Sequence, residues 1–559
     1  MIKGASTWPS APILCQYRIQ FVLDFRRAVQ HAFAIPASGD SVKYNPESMD
    51  PAAMAWVLAS AALVLIMVPG IAFFYSGMVR AMNVLSMLMQ NFVVMALASV
   101  LWVLVTFSLA FGEGNAFVGD LHFAGLSNLD EVVPGFTDEH ALVVLPIVFA
   151  LFQMMFAAVT PALITGAAAD RWRLAAFVPF VVCWSILVYA PVAHWVFSPL
   201  GWVSRLGALD FAGGLVVHVS AGAAGLALAV VMGRRQGWPE EPMPPHNLPL
   251  VLLGAALLWF GWFGFNSGSA LAANGLAAQA FINTNTACAV GLLSWISVER
   301  LRYGKTTTRG AASGAVAGLV SVTPGAGYIT TSEAIVVGVL AGVCCSFAVS
   351  AKEWLRLDAS LDVVGVHLIG GFIGSLAVGL FASEAVNPLG GTGLFHGGGY
   401  RLLSLQALAG VVAAAYSFVA TYLIAKLIDR IVGLRVSPAR SCRAWTWRCT
   451  AKWPTTFRAG GVRNAGAPRL RAAEVAAEEC ADRPESVRVT TSPGSHVTGS
   501  ARPQTVTNLR SPRKMGVNHE ARPNCTPVRT LAPGGCRRTG GVPRRPLRRH
   551  AGPDAFLHG

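Results

Sequence analysis

Two histidines stand in stretches of membrane-crossing length, each a short step after an aspartate and a glycine. The first closes the run Asp-Phe-Ala-Gly-Gly-Leu-Val-Val-His at 210–218, which opens an apolar segment continuing to about Met232. The second closes Asp-Val-Val-Gly-Val-His at 362–367, at the start of another apolar segment. An ionisable ring and a carboxylate are expensive inside hydrocarbon, so Asp210, His218, Asp362 and His367 are functional candidates by default. Two neutral imidazoles can share one N–H···N hydrogen bond, one donating and the other accepting. An apolar lining disfavours a fixed charge on either ring. Such a pair offers polar contacts to a small neutral solute and a relay for a proton, while apolar walls exclude hydrated ions. A core histidine bonded to backbone carbonyls is the ordinary alternative for one such ring; the repetition favours a shared site.

Aromatic residues supply a second kind of chemistry. Phe152 and Phe156 are one helical turn apart and share a face. Further on, Trp259, Phe260, Trp262, Phe263 and Phe265 crowd one segment that runs on through Asn266 to Ser269. Aromatic faces beside a hydroxyl attract a small cation, each face contributing ~0.5–2 kcal/mol depending on desolvation. Packing against lipid or helices is the alternative for any one ring.

These residues need membrane helices to position them, and the composition provides them. The chain of 559 residues is 54% hydrophobic and 13% charged, a membrane protein's profile. Of its 43 Lys+Arg, 22 lie after Arg435, against 7 of the 28 Asp+Glu. Residues 1–435 are therefore neutral and the tail carries the whole net charge of +15, so the basic balance is no sign of nucleic-acid binding. Cys183, Cys288, Cys344 and Cys345 lie inside apolar segments and read as small buried hydrophobes. No cysteine spacing matches a zinc or disulfide framework, no metal or cofactor is implied, and no nucleophile–base cluster suggests an enzyme.

A ~30 Å hydrocarbon core needs roughly 20 helical residues. Eleven apolar segments of about that length follow one another, near 54–75, 88–110, 142–168, 174–197, 210–232, 247–267, 270–298, 310–324, 333–350, 361–382 and 403–431. The eighth is short and glycine-rich. The loops after odd-numbered segments hold most of the basic residues, among them Arg80, Arg171, Arg173, Arg234, Arg235, Arg300, Arg302, Lys352 and Arg435. The positive-inside rule then sets the N-terminus outside and the C-terminus in the cytoplasm. The loop from 112 to 140 is acidic and faces outward, where it suits either a cation vestibule or a solvated surface.

An internal repeat runs through the segments. Phe-Tyr-Ser-Gly at 74–77 is matched by Phe-Asn-Ser-Gly at 265–268, Val-Thr-Pro at 159–161 by Val-Thr-Pro at 322–324, and the first Asp…His pair by the second. Five segments repeated with opposite topology place a site at the repeat interface. The expected fold is an all-α membrane protein of eleven transmembrane helices, an inverted repeat of five plus five with an additional C-terminal helix. At ~1.5 Å per residue, His218 lies ~12 Å below Asp210 and His367 ~9 Å from the opposite end, so both rings fall near the bilayer centre.

The stretch from about 54 to 436 resembles the ammonium transporter (Amt/MEP/Rh) family. The resemblance is carried by the repeats above, by Thr-Pro-Ala-Leu-Ile-Thr-Gly-Ala-Ala-Ala-Asp-Arg at 160–171, by Pro-His-Asn-Leu-Pro at 245–249 and by Trp-Phe-Gly-Phe-Asn-Ser-Gly-Ser at 262–269. It implies ammonium and ammonia as substrates, a homotrimer with one pore per subunit in the bilayer of the inner (plasma) membrane, and a PII-type regulatory protein as cytoplasmic partner. It also implies residue roles. Phe152 and Ser269 belong to an outer ammonium site, Phe156 and Phe265 stack as a gate, and His218 and His367 are twin pore histidines. Asp210 supports the outer site and deprotonation there, Trp262 lines the pore, and Asp362 and Asn266 are structural. The family's outer-site tryptophan is replaced by Phe197, with Trp195 and Trp202 nearby. Other functions open to this pattern are an ammonium sensor signalling through its cytoplasmic face and a neutral gas channel of the Rh type.

The three regions expected are an N-terminal extension at 1–48, a transport domain at 49–436 and a basic tail at 437–559. The tail from about residue 439 is Arg-, Pro- and Gly-rich and aperiodic. Back-translated and read in another frame, 439–457 yields Glu-Glu-Leu-Pro-Gly-Leu-Asp-Val-Ala-Leu-His-Gly-Glu-Val-Ala-Tyr-Asp, which resembles the family's regulatory tail. The tail is therefore read as a frameshift product, which leaves PII-type regulation without its usual docking segment.

Overall fold

The computed structural model describes residues 43–241 and 243–436. The tail from 437 and most of the expected N-terminal extension lie outside the described residues. Within 43–48, Lys43 pairs with Asp130 at 3.0 Å and bridges to Glu131, tying the approach to the first helix onto the acidic loop.

In chain order the helices are α1 (Pro51–Met78), α2 (Ala81–Phe111), α3 (Pro146–Ile164), α4 (Leu174–Arg205), α5 (Gly214–Met232), α6 (Leu248–Ala270), α7 (Gly275–Tyr303), α8 (Thr308–Val322), α9 (Thr331–Lys352), α10 (Val364–Phe381) and α11 (Tyr400–Ile431). All but α8 are long and apolar enough to cross a membrane, which makes ten. The expected eleven spans thus resolve into ten plus one short helix. α8 has 15 residues, only ~22 Å of helix, and runs into a 3-10 turn at Thr323–Gly325. Among the described residues there is no strand, only two isolated β-bridges.

Local sequence explains where the helices begin. Asp50 accepts a hydrogen bond from the Ala52 N–H at 2.8 Å, with Pro51 at the first helical position of α1. In the Pro-His-Asn-Leu-Pro motif, Asn247 caps α6 by accepting from the Leu250 N–H at 3.0 Å, and the His246 Nδ1 lies 3.0 Å from the Val79 carbonyl. Thr307 caps α8 in the same way, through the Gly310 N–H at 2.9 Å.

Equivalent helices of the two halves meet each other. α6 lays glycines against the backbone of α1: a Cβ on Gly254 would lie 2.2 Å from the Phe74 nitrogen, and one on Gly264 would lie 2.6 Å from the Ser60 carbonyl. α5 and α10 cross as closely, with a Cβ on Gly222 falling 2.3 Å from the Leu368 nitrogen. Small residues let membrane helices approach to backbone contact. This α5–α10 crossing is what brings the two histidine-bearing segments together.

The basic loops are laced by buried ion pairs. The Arg235 backbone N–H donates to Asp358 Oδ2 at 2.7 Å, and its guanidinium Nη2 donates to Oδ1 at 2.8 Å. Arg171, also buried, donates to the Asp358 carbonyl at 3.0 Å and to Ser360 Oγ at 2.9 Å. The Arg171 guanidinium also bonds the Gly233 carbonyl just past α5. These bonds hold the loop after α3, the end of α5 and the start of α10 as one unit.

Candidate functional site

The two histidines lie on π-helical turns, Gly214–Val219 at the start of α5 and Val364–Leu368 at the start of α10. A π-turn widens the helix by one residue and frees backbone geometry, and such turns concentrate at functional sites. The first is built by Asp210. Its carboxylate accepts from four successive backbone N–H groups, those of Gly213 (2.9 Å), Gly214 (2.6 Å), Leu215 (2.7 Å) and Val216 (3.3 Å). Gly213 makes the turn possible with φ of 105°, a conformation that suits glycine. Asp210 is thus the cap of α5 rather than its first turn. The second copy is built differently. There the left-handed residue is Asp362 itself, with φ of 63°, and its carboxylate pairs with Lys352 at the end of α9.

The rings expected at the pore form one continuous column. Phe197 meets Phe156 edge to face at 6.3 Å between centroids. Phe156 stacks on Phe265 at 4.3 Å with planes 29° apart. Phe265 lies 5.9 Å from His218, and His218 lies 5.4 Å from His367. Phe152 packs edge to face on Phe156 at 4.9 Å, and Trp262 stacks beside His218 at 5.3 Å. Phe152, Phe156, Phe265, Trp262 and both histidines are buried.

One expected contact is absent. The imidazoles share no N–H···N hydrogen bond; their ring centres are 5.4 Å apart, with planes 21° from parallel. Both nitrogens of His218 and Nδ1 of His367 have no hydrogen-bond partner among the described residues. A buried polar group left unmet costs ~1–3 kcal/mol, so these orphaned nitrogens demand an explanation. His194 on α4 shows the contrast. It too is buried, but its Nδ1 lies 2.9 Å from the Ala110 carbonyl and its Nε2 2.7 Å from the Asn115 carbonyl.

The polar neighbours are oriented by their own bonds. The Ser269 hydroxyl donates to the Phe265 carbonyl at 2.8 Å, which leaves its oxygen lone pairs as acceptors. The Trp262 indole N–H donates to Thr323 Oγ1 at 2.9 Å, and that hydroxyl donates to the Leu319 carbonyl at 2.7 Å. Trp262 therefore offers its neighbours a ring face and no free donor. Asn266 donates to Thr284 Oγ1 at 2.9 Å and bolts α6 to α7. Phe152 abuts Gly268, where an added Cβ would fall 2.9 Å from its ring, so Ser269 stands next to the Phe152 end of the column.

Trp195 and Trp202 do not take the place of Phe197. The Trp195 indole N–H donates to the Phe117 carbonyl at 2.7 Å and its ring packs on Tyr416 at 4.6 Å. Trp202 packs against Phe117 and Trp195. Phe197 is the residue of the three whose ring meets Phe156.

Known proteins match this arrangement in sequence and in fold. The model of the Ammonium Transporter Family matches residues 55–442. The chain belongs to that family. It is 47% identical over 407 residues to an ammonium transporter of Mycobacterium tuberculosis, covering 68% of this chain and 85% of that protein. It is 45% identical over 385 residues to the ammonium transporter Amt1 of Archaeoglobus fulgidus, covering 69% and 94%. The crystal structure of Candida albicans Mep2 superposes with a TM-score of 0.66 at 35% identity, over 70% of this chain and 88% of that one. The family consists of multi-pass membrane transporters and channels rather than enzymes, which accords with ten apolar helices.

Sequence reasoning missed two participants. Thr323 lies in a quoted repeat, but the pattern assigns its hydroxyl no role; its place immediately after the end of α8 is the available signal. Gln406 is a buried amide in α11, and a primary amide within the apolar part of a membrane segment is the signal there.

Proposed function

We propose that the chain carries ammonium across a membrane through the column from Phe197 to His367. The observation that carries this is the trio of orphaned, buried ring nitrogens on His218 and His367 at the end of an aromatic stack. Orphaned nitrogens are wasteful in a packed core and useful in a lumen through which small polar solutes pass.

In this mechanism ammonium is captured between the faces of Phe152 and Phe197, with the Ser269 oxygen accepting one of its N–H groups. The Asp210 carboxylate is occupied by four backbone donors, so it supports the outer site by fixing the start of α5, and the proton the cation gives up passes to a free ring nitrogen of His218. Ammonia then passes the Phe156–Phe265 gate, whose stacked rings leave no polar path for a hydrated ion. Beyond it, His218 and His367 hydrogen-bond the neutral molecule, Trp262 forms the wall, and the same ring nitrogens relay the proton. Asp362 and Asn266 hold the frame. Residues 49–436 are assigned as the transport unit, with the acidic 112–140 loop outside and the ion-paired loops in the cytoplasm. Family membership is the support for proposing a homotrimer; a PII-type partner has the same support but, with the tail read as a frameshift product, lacks its usual docking segment.

The test is current recorded from the purified protein in planar bilayers on adding ammonium. A current supports proton-coupled transport. Uptake without current contradicts the relay and leaves an ammonia channel, and neither uptake nor current refutes the proposal.

A further inference from the structure

Gln406 lies on α11, outside the repeat, and is fully buried. Its side-chain amide makes a matched pair of bonds with one residue. The Leu209 N–H donates to Gln406 Oε1 at 2.8 Å, and Gln406 Nε2 donates to the Leu209 carbonyl at 2.7 Å. A primary amide placed this way imitates the neighbouring strand of a sheet and fixes both polar groups of Leu209 at once. Leu209 immediately precedes Asp210, the cap of α5. On the other side of that cap, the Phe211 N–H donates to the Pro324 carbonyl at 3.0 Å. The extended segment bearing Asp210 is therefore held from two sides, by α11 and by the end of the short helix α8.

The same amide reaches the second half of the molecule. Gln406 Nε2 lies 3.3 Å from the Ser375 carbonyl on α10, and the Ser375 hydroxyl donates to the Gln406 carbonyl at 3.3 Å. Ser375 is two turns beyond His367 on that helix. One side chain thus touches the segment that sets the register of His218 and the helix that carries His367.

We propose that Gln406 is a positioning residue for the twin histidines, setting the α5 cap relative to α10 without itself meeting the substrate. This rests on the pore reading above. Bonds that hold one helix's start against another's length matter because ~1 Å of misplacement can cost orders of magnitude in a reaction or relay.

The test uses two near-isosteric substitutions in the full chain, reconstituted in liposomes with the same pH on both sides. Gln406→Met removes both bonds to Leu209 while keeping the volume. It should lower labelled methylammonium uptake by ~tenfold or more, while the purified protein elutes as the wild type does. Gln406→Glu supplies a carboxyl group that, when protonated, keeps one donor and one acceptor, and when ionised keeps acceptors only. Its uptake, divided by the wild-type value at each pH, should approach one in acid and fall steadily toward alkaline pH. A residue that merely filled space would give a flat ratio. A flat ratio for Gln406→Glu, high or low, or unchanged uptake by Gln406→Met, overturns the proposal. A failure of the pore reading shows separately, as wild-type uptake that survives loss of both histidines.

Discussion

His218 and His367 lie 5.4 Å apart ring to ring, with planes 21° from parallel and no hydrogen bond between them. Helix α5 brings one and α10 the other, and close glycine contacts at Gly222 and Gly371 set the spacing: a Cβ on Gly371 would stand 3.1 Å from His218 Cβ. A directly bonded pair would satisfy itself. A pair whose nitrogens are left over is free to satisfy a passing molecule.

The cap on α5 separates two roles for Asp210. As a cap it is worth ~1 kcal/mol, from loss of the side-chain acceptor. Asp210→Ala should lower the thermal midpoint and uptake together, whereas Asp210→Asn, which retains an acceptor oxygen, should keep an intermediate level of both. If Asp210 takes the substrate's proton instead, Asp210→Asn will be as inactive as Asp210→Ala while keeping its intermediate melting point.

In the proposed pathway Phe197 gives a weaker cation site than a tryptophan would, since phenylalanine has the poorer cation–π face and no N–H. Phe197→Trp should tighten apparent ammonium affinity by ~2–5-fold, corresponding to ~0.5–1 kcal/mol. Competition of ammonium against labelled methylammonium reads this directly. Equal affinity in the two proteins sinks the assignment of Phe197 to the cation site.

Phe156 and Phe265 stack at 4.3 Å, and the proposed pathway makes them its gate. Truncation by Phe156→Ala should relax discrimination by size, raising the ratio of methylammonium to ammonium uptake by up to ~tenfold, the scale on which one methyl group is rejected by a tight apolar slot. An unchanged ratio would place the constriction elsewhere.

The ion-paired loops predict an acid limit to stability. Burial raises the Asp358 carboxyl, but the hydrogen bonds and charge of Arg235, with Arg171, outweigh it and hold the group below its usual range. An acid depressed in the folded state contributes stability that is present above the unfolded value of ~3.9 and is lost as pH falls through the lower folded value. Thermal midpoints should therefore be insensitive to this pair above about pH 5 and fall below about pH 4. Asp358→Asn leaves Arg235 and Arg171 buried without their carboxylate, at a cost of ~3–5 kcal/mol. A midpoint equal to wild type for Asp358→Asn at neutral pH contradicts this account of the loops.

Much of this molecule was legible in its sequence because hydrocarbon imposes simple rules. Run length and the two Val-Thr-Pro copies located the helices, and polar residues in apolar runs located His218 and His367. The aromatic spacing of Phe152 and Phe156 placed them on one face, as found. What escaped depends on geometry that spacing does not encode. The π-turns arise from how Asp210 and Gly213 fold back on the chain, and nothing in a ten-residue window signals them. The orientation of the two imidazoles depends on the α5–α10 crossing. Gln406 acts on Leu209 from almost two hundred positions away, a pairing that only the folded chain reveals. The short α8 reads as a span by composition, yet it stops at the Thr323 turn because Pro324 ends its hydrogen-bond ladder.

The most direct test of the central claim is labelled methylammonium uptake into liposomes containing either the wild-type chain or the variant with both His218→Ala and His367→Ala. The column mechanism predicts robust saturable uptake by the wild type and a fall to the level of empty liposomes in the variant, with both proteins eluting alike. Uptake by the double variant at the wild-type rate would contradict it.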